Sequence, residues 1–333
     1  MTVRIGVLGV GRIGRMHAEI IANEIDGASV AGVFDVNNEA ASSVADALRV
    51  PVMTVDEMLA SDEVDAVAVC SSTDTHVDLI ERAAAAGKAI FCEKPVSLDL
   101  TEVDKALAAV EQYQVPFMVG FNRRFDPTHA AVQEAVASGR VGDPHIARMS
   151  SRDPAPPPVE YIKVSGGIFV DMMIHDFDMA RFVVGSPVTT VYATGAVRID
   201  PAIGEAGDLD TAVVTLTHEN GCITVIDNSR QAVYGYDQRL EVLGSTGMAM
   251  SENPMKNSAM VYTATEREGS VLPYFFLDRY TDSYRIEWEA FVRYIRDGGP
   301  SPVSGADGRA PVAIGIAAWD SYHSGVPVTV DQG

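Results

Sequence analysis

The run VRIGVLGVGRIG, residues 3–14, decides how the chain folds. Val3 to Leu8 is continuously apolar and of strand length, and a helical pattern follows from Arg15 to Asn23. Between them stands Gly9-Val10-Gly11-Arg12-Ile13-Gly14, a GxGxxG spacing between strand and helix. There Gly9 allows the tight turn, Gly11 lets a pyrophosphate approach the backbone, and Gly14 lets helix and strand pack closely. Arg12 and Ile13 lie between the second and third glycines and are expected to join the same contact. The helix N-terminus adds N–H groups and the positive end of its dipole. A glycine pattern alone is a weak signal. Here a second strand candidate, Ala28 to Phe34, ends in Asp35, 21 residues after Gly14, where a carboxylate takes both ribose hydroxyls of an adenosine. The pattern therefore predicts dinucleotide binding, and Asp35 would repel a 2′-phosphate, favouring NAD over NADP.

Working outward, the alternation of strand and helix continues. Helical patterns at 38–47, 55–60, 75–86 and 100–112 alternate with strand patterns at 66–70, 89–92 and 115–120. Right-handed crossovers then make a parallel sheet, so residues 1–120 read as one doubly wound α/β domain of Rossmann type. Ligands of such sheets lie beyond the carboxyl ends of the strands. Two of those ends carry chemistry. Ser71, Ser72 and Thr73, with His76 after them, offer small hydroxyls and a helix start to the nicotinamide half of the cofactor. Glu93-Lys94-Pro95 ends the next strand. A lysine is ordinarily a solvated surface group, but a buried strand delivers Lys94 to the cofactor edge and Pro95 restricts its backbone. Lys94 is thus a catalytic candidate, and Glu93 either sets its charge or holds the turn.

From residue 121 the alternation breaks, and residues 121–333 read as an α+β domain. Strand patterns at 144–151, 189–194, 211–218, 222–229 and 239–243 fit an open, mostly antiparallel sheet, with Glu219-Asn220-Gly221 as a hairpin turn. Pro154 to Pro158 is a stiff loop. Helical patterns at 283–297 and 311–323 close the chain. The stretch GGIFVDMMIHDFDMAR, residues 166–181, is predicted to be one helix. Asp171, His175 and Asp178 then share a face, spaced at i, i+4 and i+7, while apolar residues cover most of the rest. Such a stripe is either the solvated edge of an amphipathic helix or the wall of a cleft. Asp176 points away from it and reads as structural.

Composition narrows the classes. The 333 residues suit two domains, and no apolar run is long enough for a membrane helix. The N-terminus enters a strand at once and lacks the parts of a signal peptide, which predicts a cytoplasmic protein. A net charge of −21 disfavours nucleic acid and anionic membrane as partners. Cys70, Cys92 and Cys222 are too scattered for a disulfide framework or structural zinc. Asp171, His175 and Asp178 lack a second histidine or cysteine at ligand spacing, so no metal is expected. Of the other histidines, His17, His129, His145, His218 and His323 take no catalytic role on this reading.

GVGRIG at 9–14, Glu93-Lys94-Pro95, and Asp171 with His175 at DxxxH spacing together resemble the glucose-fructose oxidoreductase/inositol dehydrogenase (Gfo/Idh/MocA) family of NAD(P)-dependent enzymes. The resemblance spans nearly the whole chain. Within the family, NRRFDP (122–127), SRDP (151–154), residues 165–182, NSR (228–230) and YGYDQR (234–239) look like its inositol-oxidising bacterial members. The resemblance implies a Rossmann domain joined to an open sheet that in this family commonly builds a homotetramer. It also implies that Lys94, Asp171 and His175 form the catalytic group.

The expected reaction is NAD-dependent oxidation of myo-inositol to 2-keto-myo-inositol. His175, with an ordinary pKa of about 6.5, suits the general base. Asp171 would orient it or bind substrate, and Lys94 would steady the developing alkoxide. Asp178 would bind another hydroxyl. A cyclitol is a ring of neutral hydroxyls needing many donors and acceptors, for which Arg123, Arg152, Asp153, Tyr234 and Tyr236 are the candidates. Each competes with a packing role on a sheet face or subunit contact. The rival readings are a dehydrogenase of another cyclitol or an aldose, and a nonenzymatic NAD-sensing protein. The latter would need neither Lys94 nor the Asp171/His175 pair.

Overall fold

The computed structural model describes residues 2–333, which form two compact units. One comprises the chain to Phe125 together with Asp282–Val312, the other Asp126–Thr281 with Ala313–Gly333. This differs from a contiguous division at 120/121, because a segment near the C-terminus returns to the first unit. Its physical reason is aromatic packing: Trp288 and Phe291 are fully buried with ring centroids 4.5 and 5.7 Å from Phe91.

The first unit holds a five-stranded parallel sheet, β1 (Val3–Leu8), β2 (Ala28–Phe34), β3 (Ala66–Val69), β4 (Ala89–Glu93) and β5 (Phe117–Gly120), in the order β2-β1-β3-β4-β5. Parallel strands are covered on both faces and so read as unbroken apolar runs. All four residues of β3 are fully buried. The crossover helices start on local signals: the Asn37 side chain accepts from the amides of Glu39 and Ala40, and Asp99 from those of Thr101 and Glu102.

The second unit is built on a mixed sheet of β6 (Pro144–Arg152), β7 (Val188–Ala196), β8 (Thr211–His218), β9 (Ile223–Ser229), β10 (Asp237–Gly244) and β11 (Met248–Ser251). A separate hairpin pairs β12 (Met260–Tyr262) with β13 (Arg267–Gly269), and β14 (Val328–Thr329) completes the large sheet. Its order is β11-β10-β6-β9-β8-β7-β14, antiparallel throughout except for the parallel pair β6 and β9. One face is core: Ala212, Val214 and Leu216 of β8 are buried while their neighbours are not. The expected hairpin turn is present, with Gly221 at φ 85° and the Asn220 side chain accepting from Cys222 N–H.

Two elements depart from expectation. The last helix begins at Gly305, not at Pro311, which lies inside it. Ser304 and Asp307 bond reciprocally through side chain and amide and so fix the earlier start. The stretch 166–181 is not one regular helix. Ile168–Met172 forms a π-helical turn, closed by Met173 N–H donating to Ile168 C=O at 2.8 Å, and the α-helix runs only from Ile174 to Val184.

Candidate active site

In the first unit two of the three loop glycines, Gly9 and Gly14, are sterically constrained. Gly9 has φ 91°, and a Cβ there would lie 2.5 Å from Ser71 Cα. A Cβ on Gly14 would lie 1.8 Å from the Gly9 carbonyl oxygen, so helix and loop touch through hydrogen alone. Gly11 is different: among the described residues no atom stands within 4 Å of its Cβ position. The backbone there is open at the N-cap of the helix Arg12–Glu24. An NAD pyrophosphate fits this arrangement, with room at Gly11 and amides at the helix start. Asp35, just beyond β2, is pinned by Val10 N–H and Asn37 N–H, each donating at 2.8 Å to a different carboxylate oxygen.

Ser71 and Thr75 share a hydrogen bond of 2.6 Å through their hydroxyls, while Ser72 is exposed and Thr73 partly so. His76 is buried, its Nε2 3.1 Å from the Ser71 carbonyl and its Nδ1 2.9 Å from the Pro95 carbonyl. Burial pushes its pKa down. Glu93 ends β4, and the Lys94–Pro95 peptide is cis. The Glu93 carboxylate accepts Lys94 N–H at 3.2 Å and faces His17 Nε2 at 2.7 Å. These contacts tie Glu93 to the turn that carries Lys94. Cys70 and Cys92 are held as thiols, since burial raises both well above the ordinary range. Arg123 is buried.

The second unit positions Asp171 through residues far away in sequence. Gly167, at φ 74°, has no space for a side chain, because a Cβ would lie 2.6 Å from Trp319 and 2.7 Å from Asp208. Asp208 accepts Ile168 N–H at 2.8 Å and starts the π-helical turn. That turn carries Asp171, whose Oδ1 accepts from Tyr161 OH at 2.8 Å and whose Oδ2 accepts from Arg230 Nη1 at 3.2 Å. Arg230 is buried and bridges Asp171 to Asp208. Burial and the Asp171 charge push the Tyr161 phenol above its ordinary range, so it remains a donor. π-Helical turns recur at functional sites because they re-aim one side chain without ending the helix.

The expected single stripe is divided here. Asp171 and His175 are partly exposed, whereas Asp178 is fully buried. Asp176 is buried and accepts from Ser151 Oγ at 2.5 Å and Asn228 Nδ2 at 3.0 Å, tying the helix to β6 and β9 as a structural group should. Arg152 and Tyr234 come together: Arg152 donates to Asp227 and to Tyr234 OH, and Tyr234 OH donates to Asp237. Tyr236 is buried with its ring against Tyr280, and Asp153 is partly exposed. Tyr161, Asp208 and Arg230 escaped the sequence reading. Only Arg230 lay in a noted motif, NSR, and nothing in its spacing points to Asp171.

Residues 3–121 match the oxidoreductase family model with an NAD-binding Rossmann fold, and residues 129–250 match the GFO/IDH/MocA C-terminal domain. The chain is 46% identical over 332 residues to myo-inositol 2-dehydrogenase of Thermotoga maritima, covering 99% of each. It is 49% identical over 318 residues to inositol 2-dehydrogenase of Rhizobium meliloti, covering 96% of each. Among solved structures, scyllo-inositol dehydrogenase of Lactobacillus casei with bound NAD(H) and scyllo-inositol superposes with a TM-score of 0.92 at 29% identity, over 99% of both chains. No helix among the described residues is long and apolar enough to cross a membrane.

Proposed function

The chain belongs to the Gfo/Idh/MocA oxidoreductase family, with an NAD-binding Rossmann domain, and on that premise we propose that it oxidises myo-inositol at one ring carbon to 2-keto-myo-inositol. The observation that carries this reading is the match along the full chain, at 46 and 49% identity, to two inositol 2-dehydrogenases.

Gly9, Gly11, Arg12, Ile13 and Gly14 would hold the pyrophosphate and Asp35 the adenosine ribose. Ser71, Ser72, Thr73, His76 and Glu93 would serve the nicotinamide half. Hydride acceptance is the chemistry that NAD supplies when bound. The chain itself has to orient the carbinol and manage its proton. His175 takes the hydroxyl proton as the C–H bond gives up its electron pair. The Lys94 ammonium stabilises the alkoxide charge that develops on the same oxygen. Asp171, gripped by Tyr161 and Arg230, presents a fixed carboxylate one turn before His175, suited to a substrate hydroxyl or to the imidazole. Arg123, Arg152, Asp153, Asp178, Tyr234 and Tyr236 remain the proposed contacts to the rest of the polyol, with the buried Tyr236 and Asp178 contributing only if substrate reaches them.

A homotetramer through the large sheet belongs to the same proposal. The register sets Ile223, Ile146, Leu243 and Met248 in one row across the face opposite the core, while the next row carries Tyr192, Val225 and Met250 with Thr215, Arg148 and Glu241 among them. Ile223, Leu243, Met248, Tyr192 and Met250 are exposed and Ile146 and Val225 partly so, an apolar row that suits association. Sedimentation should give a species of four chains.

A panel of polyols with NAD, followed at the NADH absorbance, tests the activity. Turnover of myo-inositol is expected. Preference for scyllo-inositol would favour the reading suggested by the Lactobacillus casei structure, and activity on an aldose with none on any inositol would overturn both.

A further inference from the structure

His17 and Trp288, which no step above uses, stand in the first unit behind Glu93-Lys94-Pro95. Trp288 Nε1–H donates to His17 Nδ1 at 2.8 Å, and His17 Nε2 stands 2.7 Å from Glu93 Oε1. An indole nitrogen only donates. His17 Nδ1 therefore accepts, and the ring carries its proton on Nε2, directed at the carboxylate. The other Glu93 oxygen accepts Lys94 N–H at 3.2 Å. His17 and Trp288 are both 0% exposed. The rings of Phe91, Tyr284 and Trp288 stand edge-on around the imidazole, with centroids 5.3, 5.6 and 5.5 Å away, and hold its plane. On the other flank of Lys94, His76 Nδ1 lies 2.9 Å from the Pro95 carbonyl.

We propose that His17, oriented by Trp288, is a positioning residue for Lys94, fixing Glu93 and through it the backbone that carries the lysine. An apolar side chain would fill the same aromatic box without the cost of burying an imidazole. What the imidazole adds is direction: one tautomer, one donor and one carboxylate oxygen. That is the kind of support a reacting group needs, since a displacement of about 1 Å at the chemistry costs about a hundredfold in rate. Trp288 reaches this place only because Asp282–Val312 returns to the first unit. The inference rests on the reading of Lys94 as a catalytic residue.

Three variants separate positioning from packing. His17→Leu removes the donor, His17→Gln offers an amide N–H in its place, and Trp288→Phe keeps an aromatic ring but deletes the N–H that orients His17. In His17→Leu, kcat with myo-inositol should fall about tenfold to a hundredfold while KM and the Kd for NADH stay within about twofold. His17→Gln should recover most of the loss, and Trp288→Phe should fall between. Trp288→Phe carries the test alone should His17→Leu not fold.

A second readout needs no substrate. Hydrogen exchange at the Lys94 amide should quicken about tenfold in His17→Leu and Trp288→Phe while the β1 amides keep their protection. If that change appears but the wild-type protein turns over no inositol, the inositol reading fails and the clamp stands. Unchanged Lys94 exchange, a His17→Gln protein as slow as His17→Leu, or an equal loss of NADH affinity and β1 protection overturns the clamp.

Discussion

Arg230 reaches 59 positions along the chain to hold Asp171, donating from Nη1 to Oδ2 at 3.2 Å while its Nη2 donates to Asp208 Oδ2 at 3.0 Å. One buried cation thus spans two carboxylates, and through Asp208 it also supports the start of the π-helical turn. Removing it leaves two inward-facing carboxylates without their shared partner. Arg230→Leu is expected to lower stability by about 3–5 kcal/mol by denaturant titration. Arg230→Lys restores charge but not the fork, and should keep more stability while still losing turnover.

Glu287 gives a stability prediction with a pH sign. It is fully buried, neither carboxyl oxygen has a hydrogen-bond partner among the described residues, and burial together with the nearby Glu93 raises its pKa well above the ordinary 4.5. A carboxyl raised in the fold is protonated there, whereas the unfolded chain gains by ionising it as pH rises. Its contribution is therefore complete below the unfolded value and declines as pH climbs towards the folded one. Glu287→Gln should raise Tm, with the gap widening as pH rises above the ordinary carboxyl range. A gap that is constant with pH would contradict the assignment.

The three glycines should fail differently. Gly14→Ala places a methyl carbon 1.8 Å from a backbone oxygen and should lower Tm sharply. Gly11→Ala meets no atom within 4 Å among the described residues, and the backbone there, at φ −62°, accepts alanine. It should therefore fold with wild-type Tm yet bind NADH roughly tenfold more weakly, because the methyl occupies the pyrophosphate approach. Fluorescence titration of NADH alongside thermal melts reads both.

Lys94→Ala and His175→Ala should each lose about 10²- to 10⁴-fold in turnover, the range of a positioned proton-transfer or oxyanion-stabilising group. NADH binding should survive in His175→Ala. Near-normal turnover in either protein would remove that residue from the catalytic group.

The polarity and spacing of residues 3–120 suffice for the first sheet, because a parallel strand buried on both faces is a local apolar run, and GxGxxG between such a strand and a helix points to a dinucleotide. The same local logic placed β6 to β10 within a few residues and marked Asp171 and His175 as a pair. It fails where the signal is not periodic. The π-helical turn at Ile168–Met172 looks like plain helix in sequence, since one extra residue in a turn leaves no mark on composition. Short exposed strands such as β12, β13 and β14 carry too few alternating residues to be read.

By itself, then, the sequence determined the Rossmann architecture, the dinucleotide loop, the α+β second half and which residues are candidates for the chemistry, because each depends on neighbours within one turn or one strand. Tertiary structure decided how those residues are held. Arg230 meets Asp171 across 59 positions, His17 meets Glu93 across 76 and Trp288 meets His17 across 271. No local period encodes such pairings. They follow from which faces the sheets bury and from the return of Asp282–Val312 to the first unit, where desolvation gives each directed hydrogen bond its weight.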